Sequence, residues 1–149
     1  MKNALFEGVQ SFLTAAGESA CYALCIIKTA ERVTGVIKNP LDALVNGIDG
    51  GYIKYNWDNP NDPDNFYVSD PAGFFRNLAL SNINNFRVTV RKENAGYCPQ
   101  SNEYIVQCWE RQVTGKTITH FRLPDWDGLH NSQTVKYGKV ASVRVFKVA

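Results

Sequence analysis

The segment Gly17–Val33, GESACYALCIIKTAERV, decides how the rest of the chain is read. From Ala20 to Ile27 it is apolar nearly all round, which describes a central, buried helix rather than a surface one. Ser19 stands where an N-cap belongs, its hydroxyl placed to accept from an orphan backbone N–H of the first turn. Cys21 then falls in the first turn of a helix that runs to about Thr34 and ends near Gly35, with Cys25 one turn further along the same face. A thiol at that position has two readings. It packs as a small hydrophobe, or the unpaired N–H groups and positive dipole end of the helix stabilise its thiolate and make it reactive.

Working outward, Leu5, Val9, Phe12, Leu13 and Ala16 recur with helical spacing and predict an amphipathic helix over residues 2–16, closed by Gly17. Asn39-Pro40 is an N-cap followed by proline at the first helical position, so PLDALVNG reads as a short helix stopped by Gly47. Asp70-Pro71 opens another, PAGFFRNLAL, which packs through Phe74, Phe75 and Leu78. Between them GYIKYNW reads as a short strand and DNPNDPDN as a polar loop. That loop lacks the glycine and glutamate of a calcium-binding loop.

From Phe86 the period changes to two. FRVTVRK, EYIVQCWERQ, KTITHFRL, QTVKYG and KVASVRVFKV all have strand composition, with hairpin turns expected at Thr114-Gly115 and Tyr137-Gly138. Helices first and an antiparallel sheet second is an α+β order, distinct from the alternation of a doubly wound fold.

Composition narrows the function. With 149 residues, 44% apolar and 20% charged, the chain fits one globular domain with a real core. A net charge of +2, with basic residues scattered along the sequence, lacks the electrostatic footprint of a nucleic-acid binder. No apolar run approaches the roughly 20 residues of a membrane span, and MKNALFEGVQSFL lacks a signal peptide's apolar core, so a cytoplasmic protein without a membrane partner is expected. In that reducing compartment Cys21, Cys25, Cys98 and Cys108 are expected as free thiols. Their spacing matches no paired zinc-knuckle pattern, and neither a metal nor a cofactor is expected.

A nucleophilic cysteine needs a base, and the base needs a third group to hold its tautomer. Of the two histidines, His120 lies in the strand-like TITHF and His130 in the turn-like GLHNS, and a strand holds geometry better. Seven residues beyond His120 comes Asp127, in PDWDG. If the chain reverses at Leu123-Pro124, residues 120 and 127 face each other across a hairpin, with Asp125 diagonal to His120 as the other candidate. Asp127 before Gly128 also reads as a turn residue. Trp126, beside it, is a candidate cleft residue.

A capped segment followed by CYALC, then a β-rich half containing THF, then an Asp-containing return into NSQTVKYGKVASVRVFK, resembles the papain-like cysteine peptidase superfamily. The likeness is greatest to the small bacteriocin-processing peptidase-like branch and its phage and bacterial relatives. It spans most of the chain and implies a single papain-like domain over residues 1–149, with the nucleophile starting a buried helix packed on a C-terminal antiparallel sheet. It also implies Cys21 as nucleophile, His120 as base and Asp127 as orienting carboxylate, acting on an amide in a peptide or a cell-wall stem. Papain-like enzymes usually carry an oxyanion-hole glutamine about six residues before the nucleophile. Here that position is Ala15, which leaves Gln10 and Ser19 as candidates. Two other readings follow from these residues. One is a catalytically inactive papain-like binding module, of phage or mobile-element origin, that captures a host protein or small ligand. The other is a metal-dependent protein using Cys21, Cys25 and His120.

Overall fold

The computed structural model describes residues 4–79, 87–128 and 133–149. His130 lies outside the described residues. Helix α1 (Ala4–Ser19) runs almost without a break into α2 (Cys21–Thr34), and only Ala20 interrupts them, at φ −90° and ψ 14°. The backbone ladder nearly bridges the interruption. The Ala20 N–H donates to the Ala16 carbonyl at 3.0 Å, and the Ala20 carbonyl accepts from the Leu24 N–H at 2.9 Å. This corrects two expectations. Gly17 does not close α1, and Ser19 is its last residue rather than the cap of α2, which has no side-chain cap. The α1–α2 junction is held by the burial of Ala15, Ala16 and Ala20, which overrides the weak helix propensity of Gly17.

Helix α2 ends at Gly35, whose φ of 73° is the left-handed conformation that a C-cap glycine supplies. It buries Ala23, Cys25, Ile26, Ile27, Thr29 and Ala30, as an apolar central helix must. In α3 (Pro40–Asp49) the Asn39 side chain accepts from the backbone N–H groups of Leu41 and Asp42. Gly47 does not stop this helix, which continues to Asp49. A Cβ at residue 47 would lie 2.7 Å from Ile53 and 2.8 Å from Phe74, so the glycine serves close packing. Helix α4 (Pro71–Ala79) starts with Asp70 accepting from the Gly73 N–H at 2.9 Å and buries Phe74, Phe75 and Leu78. GYIKYNW forms no strand; only an isolated bridge joins Ile53 to Val68.

Strands β1 (Val88–Asn94), β2 (Glu103–Val113), β3 (Lys116–Arg122) and β4 (Lys139–Val148) form one antiparallel sheet in the order β1-β4-β2-β3. Thr114 and Gly115, at φ 40° and 76°, turn β2 into β3, as the two positive dihedrals of a tight hairpin require. QTVKYG departs from its strand composition. It is a short helix, α5 (Gln133–Tyr137), and Tyr137-Gly138 leads into β4 instead of turning a hairpin. Gly138 passes so close to the carbonyls of Glu110 and Thr134 that a Cβ would lie 2.3 Å from each, and this contact docks α5 against β2.

Side chains alternate across the pleat. Val88, Val106, Phe121 and Phe146 share one sheet face and join the helices in the core cluster. Tyr22 stacks on Phe121 with ring centroids 4.3 Å apart, and Phe75 meets Phe146 at 5.7 Å. Phe75 and Phe146 are fully buried, each contributing about 1.5–3 kcal/mol of transfer free energy, and together with the Tyr22–Phe121 stack they fix α2 and α4 over the sheet. The architecture is α+β, with helices preceding a four-stranded antiparallel sheet. Among the described residues no helix is long and apolar enough to cross a membrane.

Candidate active site

The pleat of β3 sends Thr119 and Phe121 to the helix-covered face and His120 to the other, opposite Trp109. His120 is buried, at 6% exposure. Beyond β3 the chain reverses through Pro124-Asp125, closed by the Leu123 N–H donating to the Trp126 carbonyl at 2.8 Å. Extended one step, that bridge sets Asp127 opposite Arg122 rather than opposite His120. The two-residue offset keeps Asp127 and His120 on one face, and a diagonal contact follows. Both Asp127 oxygens approach His120 Nε2, at 2.9 and 3.0 Å. A carboxylate can only accept, so Nε2 donates to Asp127, which in the neutral ring makes Nδ1 the acceptor nitrogen.

Asp125 points elsewhere. Its carboxylate bonds Arg32 at 2.8 Å on the exposed side of α2, and that guanidinium holds its carboxyl below the usual range. The hairpin thus lies along one stripe of α2. Asp125 meets Arg32, the Trp126 ring lies 5.7 Å from Lys28 Nζ, and Gly128 approaches Leu24. Trp126 packs against this helix and the core cluster. It does not border the cleft described next.

Cys21 is half-buried at the first position of α2 and lines a cleft of about 600 Å³. The cleft is walled by the α1–α2 junction and by residues 63–69, and its floor is the sheet, with Thr119, Phe121, Val90, Lys92 and Arg144. Burial pushes the Cys21 thiol up. The backbone N–H groups of Phe121, Tyr22 and Cys21 itself pull it down, the Asp127 charge adds to the rise, and the net shift is upward. The helix start was expected to favour a thiolate, but desolvation outweighs the three N–H groups. The Phe121 backbone and the Asp127 carboxylate are thus both near enough to the sulfur to act on its titration. No hydrogen bond joins Cys21 to His120 in this structure, and neither His120 nor Asp127 is among the residues that line the cleft.

Cys25 is fully buried, its thiol pushed up by burial and by the Cys21 and Asp127 charges, which fits its packing role. All four cysteines are free. Ser19 borders the cleft beside Cys21, whereas Gln10 faces a separate hollow with Glu7, Thr14 and Asn61. Ala15 is buried in the core. Among the described residues no three His, Cys, Asp or Glu side chains are grouped to hold a metal ion, so the Cys21–Cys25–His120 metal reading has no geometry behind it.

Sequence reasoning missed Lys92, Thr119 and Arg144. Charges spaced between apolar residues read as a solvent face. The available signal was in β4, where Ser142, Val143, Val145 and Phe146 leave neither face free, so Arg144 had to line a cavity. Compared with protein families, curated proteins and solved structures, the chain matches none.

Proposed function

We propose that the protein is a thiol hydrolase on a papain-like scaffold, acting on an amide bond of a peptide. The observation that supports this reading is the buried His120–Asp127 pair, whose carboxylate lies close enough to Cys21 to raise its thiol. Because the resting thiol is protonated, attack is general-base assisted. As the Cys21 sulfur bonds the amide carbon, its proton passes to His120 Nδ1, and His120 then gives that proton to the leaving amine. Water, deprotonated by His120, next cleaves the thioester and releases the acid and the free thiol. Asp127 holds the imidazole orientation and balances its transient charge. The Cys21 and Tyr22 N–H groups face the sulfur and the Ser19 hydroxyl borders the cleft, offering donors for the oxyanion in place of the glutamine that Ala15 replaces.

The test is acetyl transfer from p-nitrophenyl acetate. A burst of p-nitrophenol, with the acetyl group mapped by mass spectrometry to Cys21 and lost in Cys21→Ala and His120→Ala, supports the reading. Acetylation spread over Cys98 and other groups, with no dependence on His120, defeats it. The protonated thiol also favours a second reading, a binding module that uses the same cleft without chemistry. In that case ligand capture survives Cys21→Ala unchanged.

A further inference from the structure

Strands β1 and β4 set two cations side by side on the floor of the Cys21 cleft. Lys92 and Arg144 are direct cross-strand partners, and both line the cavity. Like charges placed directly opposite each other destabilise a sheet unless something balances them. Nothing among the described residues does so. Arg144 Nη1 donates to Ser142 Oγ at 2.9 Å and the guanidinium lies 5.6 Å from the Phe121 ring centre, while no described group accepts from Nε or Nη2. Lys92 is exposed and has no ion-pair partner among the described residues. Arg91 also borders the cleft, but its guanidinium is engaged by Glu93 and Glu103. The acidic residues of the cleft, Glu18 and Asp64, come from the helix and loop walls, and neither forms an ion pair with Lys92 or Arg144.

With Nη1 taken by Ser142, Arg144 keeps the Nε–Nη2 edge, two parallel N–H donors that match the two oxygens of a carboxylate. We infer that Lys92 and Arg144 receive the carboxylate of the ligand that reaches Cys21, either an acidic side chain or the free carboxyl end of a peptide. This inference rests on the cleft being the substrate site and names the substrate class for it.

Alkylation of the thiol reads the inference without any need for hydrolysis. In both iodoacetate and iodoacetamide the Cys21 thiolate forms a C–S bond, the C–I bond breaks and iodide leaves; only iodoacetate brings a carboxylate. The iodoacetate-to-iodoacetamide rate ratio at Cys21 is expected to exceed that of 2-mercaptoethanol in the same buffer by about tenfold at low salt. It is expected to fall toward the free-thiol ratio in Arg144→Gln. Lys92→Gln, at an exposed strand position, lowers it in a chain whose folding is not at risk. Protection against iodoacetamide by N-acetylglycine identifies a free carboxyl end, and protection by N-acetylglutamic acid α-amide identifies an acidic side chain. A ratio equal to that of the free thiol, or protection by inorganic phosphate alone, overturns the inference. Intact acetyl transfer with a flat ratio removes the carboxylate and leaves the hydrolase; a raised ratio without acetyl transfer does the reverse.

Discussion

On one face of β1, Arg91 and Glu93 join Tyr97 and Glu103 in a set in which every charged group has a partner. Arg91 bonds Glu93 and Glu103 at 2.9 Å each, and the Tyr97 hydroxyl donates to Glu103 at 2.6 Å. On the other face of the same strand, Lys92 stands opposite Arg144, and among the described residues neither forms an ion pair. The two faces differ in what each charged group lacks. A closed set gains nothing from a ligand and reports on folding. The open pair shares its cleft with a half-buried thiol, and a ligand carboxylate would complete it.

The largest expected effect sets the proposed site against the closed set. His120→Ala is expected to slow acetylation of Cys21 by about 10²–10⁴-fold, the range of general acid–base assistance, while Glu103→Gln leaves it unchanged. Stopped-flow release of p-nitrophenol measures both. Equal losses in the two variants would erase the distinction between the proposed site and the closed set.

Next in size is the acid limb of stability, which belongs to the closed side. The Tyr97 hydroxyl, the Gln100 N–H and Arg91 hold the Glu103 carboxyl down to about 2. Its folded value lies below the unfolded value of about 4.3, so its stabilisation is present above that pH and is lost as pH falls toward 2. Urea midpoints measured from pH 6 downward are expected to drop in this window for the parent chain and to drop less for Glu103→Gln. The alkaline limb has the opposite sign. Burial raises the thiols of Cys21 and Cys25 and the Tyr22 phenol, so the unfolded chain loses protons first once pH passes about 8.5, and stability declines from there. Cys25→Ala is expected to shallow that decline in the same urea series.

Much of this arrangement is legible in the sequence, and the gaps have physical causes. Asn39-Pro40, Asp70-Pro71, Gly35 and Thr114-Gly115 act through local backbone chemistry, which a linear reading captures. Ser19, Gly47 and QTVKYG misled because tertiary contacts decided them. A continuous helix ladder removed the need for a cap, Ile53 and Phe74 required a glycine inside α3, and the approach of Gly138 to Glu110 folded a strand-like segment into α5. The His120–Asp127 pairing could be read because both residues belong to one hairpin. Lys92 and Arg144 could not, since the β1-β4-β2-β3 order, which makes residues 52 positions apart into neighbours, leaves no trace in spacing.

The smallest expected effect separates two acids within that hairpin. Asp125 and Asp127 are two residues apart, and each has a cationic or titratable partner, Arg32 or His120. The Asp125 side chain is 69% exposed, and an ion pair in water gives back in side-chain entropy and screening most of what its Coulomb attraction supplies. The Asp127 side chain is 17% exposed and faces a ring that is 8% exposed, where losing the acceptor leaves a buried N–H unpaired. Asp125→Asn is therefore expected to leave both the melting temperature and Cys21 acetylation unchanged. Asp127→Ala is expected to lower acetylation by freeing the imidazole to turn and present the wrong nitrogen. If Asp125→Asn proves the more damaging of the two, the hairpin is positioned by its salt bridge to α2, and the buried pair is a packing feature rather than part of a site.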